Sequence, residues 1–135
     1  MTESKKAVAG AKARVLVVDD SSLIRLYCRD VLEKAGFEVE QAINGIEAME
    51  KVLGQEFNLL IVDVNMPRMD GFSFLRALRE SAHQAASVPA LVMTTEAGQQ
   101  DREDARAAGA NFYLVKPVAE FELLRHVAIL TGVPT

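Results

Sequence analysis

The chain has 135 residues, 50% of them hydrophobic, enough for the core of one domain and too few for two. Its 15 basic and 19 acidic residues leave a net charge of −4, which excludes a broad basic footprint for nucleic acid or an anionic membrane and leaves proteins as the expected partners. A single cysteine, Cys28, excludes an internal disulfide, and no apolar run approaches the roughly 18 residues that span a bilayer, so a monomeric cytoplasmic protein is expected.

Residues 1–13 mix Lys, Ser, Gly and Ala without a usable period and read as a flexible tail, with the domain expected over residues 14–131 and a short second tail over 132–135. The first apolar run, residues 15–18, predicts a strand. After it Leu23, Ile24, Tyr27, Cys28, Val31, Leu32 and Ala35 recur at helical spacing, with Ser21 or Ser22 placed to cap and Gly36 to stop. Further strands are expected at 39–43, 59–62, 88–93 and 111–115, and further helices at 46–53, 72–80, 99–108 and 120–130. Several of the strand runs lack polar alternation, as strands covered on both faces do. Strand and helix alternating five times predict an α/β fold, a doubly wound parallel sheet with helices on both faces.

In such a sheet ligands sit beyond the carboxyl ends of the strands. Asp19 and Asp20, Asp63, Thr94 and Thr95, and Lys116 all fall there. An Asp at a strand end is ordinarily a turn or cap residue, so their joint placement carries the argument. Converging carboxylates about 4 Å apart repel by roughly 4 kcal/mol per pair at an effective dielectric near 20, and a cation offsets that repulsion. Oxygen ligands with retained waters suit Mg²⁺, and no Cys and His cluster favours zinc. His83 and His126 read as structural, as do Cys28 on the inward stripe of the first helix and Phe37, Phe57, Phe72 and Phe74 at the core edges. A carboxylate is able to attack phosphorus and form an acyl phosphate. Asp63 stands alone at the centre and is the better nucleophile candidate, while Asp19 and Asp20 look like metal holders. Lys116 and Thr94 are placed to pair with carboxylate or phosphoryl oxygens. Pro117 restricts Lys116 to extended geometry, either as an ordinary helix-start proline or through a cis bond.

These residues resemble the receiver domain of bacterial response regulators, in segments VLVVDDSSLIR, LLIVDVNMPRMDGFSFL, ALVMTTEA and GANFYLVKPV. The second is the most specific, with Met66, Pro67, Asp70 and Gly71 at the family's spacing from Asp63. The resemblance, which extends to stand-alone receivers similar to those of chemotaxis, implies a flavodoxin-like five-stranded sheet in order 2-1-3-4-5 with five helices, an order for which a receiver is a standard example. It implies phosphorylation of Asp63, and Mg²⁺ held by Asp20, Asp63 and the Asn65 backbone carbonyl, with Asp19 acting through water. Thr94 and Tyr113 would be the switch residues, Lys116 the phosphoryl-pairing lysine, and Asn65 and Glu96 would tune hydrolysis. The implied partners are a histidine kinase or histidine phosphotransfer protein and a target on the face of helix four, strand five and helix five. Val118 departs from the family, where Phe often follows the Lys-Pro pair.

Two other classes fit the sequence less well. An aspartyl phosphohydrolase wants a second Asp two residues after a first-strand nucleophile, and here Ser21 follows Asp19 by two. A flavin carrier wants a Ser/Thr- and Gly-rich phosphate loop, and the acids of DDSSLIR would repel a phosphate without a metal. With TGVPT after the last helix, output is expected through protein binding or onward phosphoryl transfer, in chemotaxis, motility or a phosphorelay.

Overall fold

The computed structural model describes residues 12–134, so the expected tail lies outside the described residues up to residue 11, as does residue 135. Ala13 is buried, and its carbonyl accepts the Glu38 N–H at 2.9 Å. The elements in order are β1 (Arg14–Val18), α1 (Ser22–Lys34), β2 (Glu38–Ala42), α2 (Gly45–Gly54), β3 (Leu59–Val62), α3 (Gly71–Glu80), a short 3-10 helix (Gln84–Ser87), β4 (Ala90–Thr94), α4 (Gln99–Ala108), β5 (Phe112–Val115) and α5 (Glu120–Thr131). All five strands are parallel, in the order β2-β1-β3-β4-β5, as the resemblance implied.

Alternate residues of the inner strands point to opposite faces, which produces two cores. Val15, Val17, Leu59, Ile61, Leu91 and Met93 pack with Cys28, Val31 and Leu32 of α1 and Leu123 and Val127 of α5. Leu16, Val18, Leu60, Val62 and Val92 pack with Ala48 and Val52 of α2, Phe74, Leu75 and Leu78 of α3, and Ala105 and Ala108 of α4. Both faces of β1, β3 and β4 are thus covered, which accounts for their unbroken apolar runs.

The differences from expectation are local. β4 begins at Ala90 rather than residue 88 because Val88 closes the 3-10 helix and Pro89 has no N–H for the ladder. β2 stops at Ala42; Ile43 is exposed and its N–H donates to Glu47 Oε1 at 2.7 Å. Phe37 and Phe74 lie in the core proper, not at its edges. Leu23, read into the inward stripe of α1, is exposed, and the buried stripe of that helix is Cys28, Val31 and Leu32. Ser21 is the cap of α1, its hydroxyl accepting the Ile24 N–H. Val118 is buried in the α1/α5 core and its carbonyl accepts the Tyr27 hydroxyl at 2.7 Å, so the last loop is packed without a Phe. The Lys116–Pro117 peptide is cis.

Candidate functional site

The strand ladder runs one residue past three strands and delivers the candidate residues to one edge. Asp19 N–H donates to Ala42 O at 3.0 Å, Asp63 N–H to Val18 O at 2.9 Å, and Lys116 N–H to Thr94 O at 2.8 Å. β3 is the middle strand, so Asp63 stands at the sheet's centre with Asp19 and Asp20 on one side and Thr94 and Lys116 on the other. Behind it, Gly71 opens α3 so tightly that a Cβ there would lie 2.1 Å from the Asp63 carbonyl oxygen. Only glycine fits that approach.

Asp19, Asp20 and Asp63 each present an oxygen within 4.8 Å of the others. Asp19 is buried and fully engaged: Oδ1 accepts the Ser21 N–H at 2.9 Å, Oδ2 the Lys116 ammonium at 2.8 Å, and its carbonyl Arg25 Nη1 at 2.7 Å. Asp20 is exposed and makes no hydrogen bond among the described residues. Asp63 Oδ1 accepts the Val64 N–H at 2.8 Å and lies 3.6 Å from Lys116 Nζ. Burial, then the Asp19 charge, push the Asp63 carboxyl above its ordinary value; Lys116 and the Val64 N–H oppose this, and Asp20 adds to it. One ammonium among three acids leaves net negative charge at the cluster. Its all-oxygen donor set fits a hard divalent cation such as Mg²⁺.

The remaining sequence candidates surround this cluster. Thr94 is buried and its Oγ1 accepts the Glu96 N–H at 3.3 Å; Thr95 is exposed. Asn65 Nδ2 donates to Glu96 Oε2 at 3.1 Å across the mouth of the site. Tyr113 lies further out, its hydroxyl donating to Glu96 O at 2.7 Å and its ring 4.9 Å from the Arg102 guanidinium carbon. Glu96 therefore touches Asn65, Thr94 and Tyr113 together. The two histidines stand elsewhere: His83 caps the 3-10 helix and His126 packs edge-on against Phe112.

Sequence reasoning missed two supporting residues. Gly45 packs on the β3–α3 loop, donating to Met69 O at 2.9 Å, where a Cβ would meet Met69 Cγ at 2.6 Å. Its only sequence signal is a glycine beside a helix cap, which is ordinary. Arg25 reaches the Asp19 carbonyl from α1, and nothing in its spacing distinguishes it from a surface arginine.

The chain matches the response regulator receiver domain family model over residues 15–128. It is 39% identical over 119 residues to the sensor protein EvgS of Escherichia coli K12, covering 88% of this chain and 10% of that protein, so it spans a small part of this curated relative. Among solved structures, the Vibrio cholerae chemotaxis protein CheY4 is 41% identical with a TM-score of 0.84, covering 89% of this chain and 99% of the other. The receiver domain of sensor histidine kinase PA1611 from Pseudomonas aeruginosa PAO1, solved with magnesium coordinated in its active-site cleft, is 30% identical with a TM-score of 0.83, covering 90% of this chain and 99% of the other.

Proposed function

This chain belongs to the response regulator receiver domain family, and from that premise we propose that it is a reversible phosphorylation switch with Asp63 as the phosphoryl acceptor. The observation that carries the reading is the position of Asp63 on the central strand, inside a carboxylate cluster and 3.6 Å from Lys116. Receiver domains bind Mg²⁺ at an acidic pocket, and here Asp19, Asp20 and Asp63, with the Asn65 backbone carbonyl, are the residues that would hold it. When bound, the ion neutralises charge on the phosphoryl oxygens.

Asp63 Oδ1 is occupied by the Val64 N–H, whereas Oδ2 accepts no hydrogen bond among the described residues and is free to attack. The donor is a phosphohistidine on a histidine kinase or histidine phosphotransfer protein. An O–P bond forms at Asp63 as the donor's N–P bond breaks, and the leaving imidazole takes a proton from solvent. Lys116 Nζ is poised to exchange part of its contact with the acids for one with the phosphoryl group. The product adds about one negative charge and further acceptor oxygens at the sheet edge.

Thr94 is the hydroxyl that would turn to those oxygens, releasing the Glu96 N–H it now accepts. Because Tyr113 of β5 is bonded to the Glu96 carbonyl, a shift of Glu96 frees the ring to change its packing against Arg102 of α4. The α4, β5 and α5 face then presents two alternative surfaces to a target protein. Asn65 and Glu96, joined over the mouth, would set the access of water and so the acyl-phosphate lifetime. The chemotaxis assignment of CheY4 favours a chemotaxis or motility output.

The test is incubation with acetyl phosphate and Mg²⁺ followed by intact-mass measurement. A gain of about 80 Da, one phosphoryl group, is expected for the natural chain and not for Asp63→Ala. No gain in the natural chain would overturn the reading. For the switch, Thr94→Ala should keep the mass gain and lose phosphorylation-dependent target binding.

A further inference from the structure

Arg25 is one turn into α1: its N–H donates to Ser21 O at 3.1 Å, and its side chain runs back toward the N-terminal end, as helical side chains do. There the guanidinium divides between two acceptors on separate strands' ends, with Nη1 on the Asp19 carbonyl at 2.7 Å and Nε on Gln41 Oε1 at 3.0 Å. Gln41 sits opposite Val17 in the β1/β2 ladder, and the next residue's carbonyl, Ala42 O, accepts the Asp19 N–H. Both main-chain polar atoms of Asp19 are therefore tied down, one by β2 and one by Arg25. The neighbouring Asp20, which has no hydrogen bond among the described residues, depends on that anchored turn for its position.

We infer that Arg25 is a positioning residue of the carboxylate cluster: it braces the β1–α1 turn through the Asp19 carbonyl and Gln41, so that Asp19 and Asp20 meet a divalent cation already arranged. This deepens the reading of the cluster as a Mg²⁺ site and rests on it. A bidentate guanidinium supports the turn in a way a single charge does not, because its donors lie in a fixed plane.

The sign of one measurement separates positioning from simple electrostatics. If Arg25 acted only through its field, removing a positive charge beside three acids would tighten Mg²⁺ binding. If it positions the turn, removal weakens binding, and loss of an outer support typically costs about tenfold or more in metal affinity. Calorimetric titration with Mg²⁺ should give Arg25→Met about tenfold weaker binding than the natural chain, with Arg25→Lys in between and Gln41→Leu weakened in the same direction with no change of charge. Thermal midpoints in EDTA establish that each variant folds. In the metal-free protein, amide exchange at Asp19 and Ser21 should accelerate in Arg25→Met while that of the central β3 stays unchanged.

Equal or tighter Mg²⁺ binding by Arg25→Met overturns the inference, and should that variant not fold, natural affinity in both Arg25→Lys and Gln41→Leu does the same. A natural chain that fails to bind Mg²⁺ overturns the functional reading instead. The exchange measurement then still decides on Arg25: unchanged protection of the turn would refute it.

Discussion

At Asp63 the chemistry and the stability of the fold oppose each other. Its carboxyl is raised above the ordinary 3.8, so between the unfolded and folded values the native state holds a proton that the unfolded state has lost. The neutral acid thus contributes stability below about 3.8, and that contribution is lost as pH rises through the folded value. At neutral pH the ionised group is a liability, caused first by burial and second by Asp19. Asp63→Asn should therefore raise the thermal midpoint of metal-free protein at pH 7 by a few degrees, the shift about 1 kcal/mol produces in a domain of this size. The advantage should close as pH falls to the unfolded value. Saturating Mg²⁺ should stabilise the natural chain more than the variant and narrow the gap. A variant less stable than the natural chain in EDTA at pH 7 would contradict this account. Gly71→Ala acts on the same residue from behind, since its Cβ would require the Asp63 carbonyl to move. It should lower stability by about 2 kcal/mol or more in urea denaturation and slow acetyl-phosphate labelling even in the fraction that folds.

The elements differ in how firmly they are seated, and α4 is the asymmetric one. Its buried residues, Ala105 and Ala108, both lie in its second half, while residues 95–100 before and at its start are exposed. Its end is held by Arg79 of α3, whose guanidinium donates to Gly109 O at 3.1 and 2.9 Å and to Ala86 O at 2.8 Å; burial pushes its pKa down. Gly109, at φ 108°, closes the helix in the left-handed region that glycine favours. Amide exchange should therefore be faster in the first turn of α4 than in its last, the end nearer Thr94 being the loose one. Arg79→Met should destabilise the domain by about 1 kcal/mol, the net worth of hydrogen bonds to part-buried carbonyls, and erase that gradient. A uniform exchange profile in the natural chain would count against this division of the helix. The limits of α4 were legible, although alanines are its only apolar residues, because Gly98, Gly109 and the strand that follows bracket it. The start of β4 was not, because residues 88–93 are apolar throughout and hydropathy does not register that Pro89 lacks a ladder donor. The acids, Thr94 and Lys116 could be collected from sequence because parallel strands bring their carboxyl ends to one edge. Arg25 and Gly45 could not, since each acts on a main-chain carbonyl that becomes its neighbour only after folding.

A sheet with a core on each face should join site and scaffold into one cooperative unit, and Cys28 offers a way to measure it. Its thiol is buried in the α1/α5 core and pushed up to about 12 by burial, then by the Asp19 charge, with Lys116 acting in the opposite direction. Because this folded value exceeds the ordinary 9.0, Cys28 contributes stability that is complete below about 9.0 and falls as pH rises toward 12. At pH 8 the native thiol is held in its protonated form and the sulfur is buried, so alkylation must wait for the molecule to open. In the regime where opening and reclosing are fast, the alkylation rate tracks the population of the open form. On the proposed reading the assembled carboxylates, and not the unfolded chain, would hold Mg²⁺, so the ion should slow alkylation of the natural protein by the factor 1 + [Mg²⁺]/Kd. Asp63→Asn should be alkylated more slowly than the natural chain in EDTA, and its rate should respond less to the ion. If Cys28 reacted in the native protein as fast as in urea, the core around α1 would not be closed. If instead the rate were slow but indifferent to Mg²⁺ at concentrations that saturate the site, the site and the α1/α5 core would open separately, and the two faces of the sheet would be distinct cooperative units.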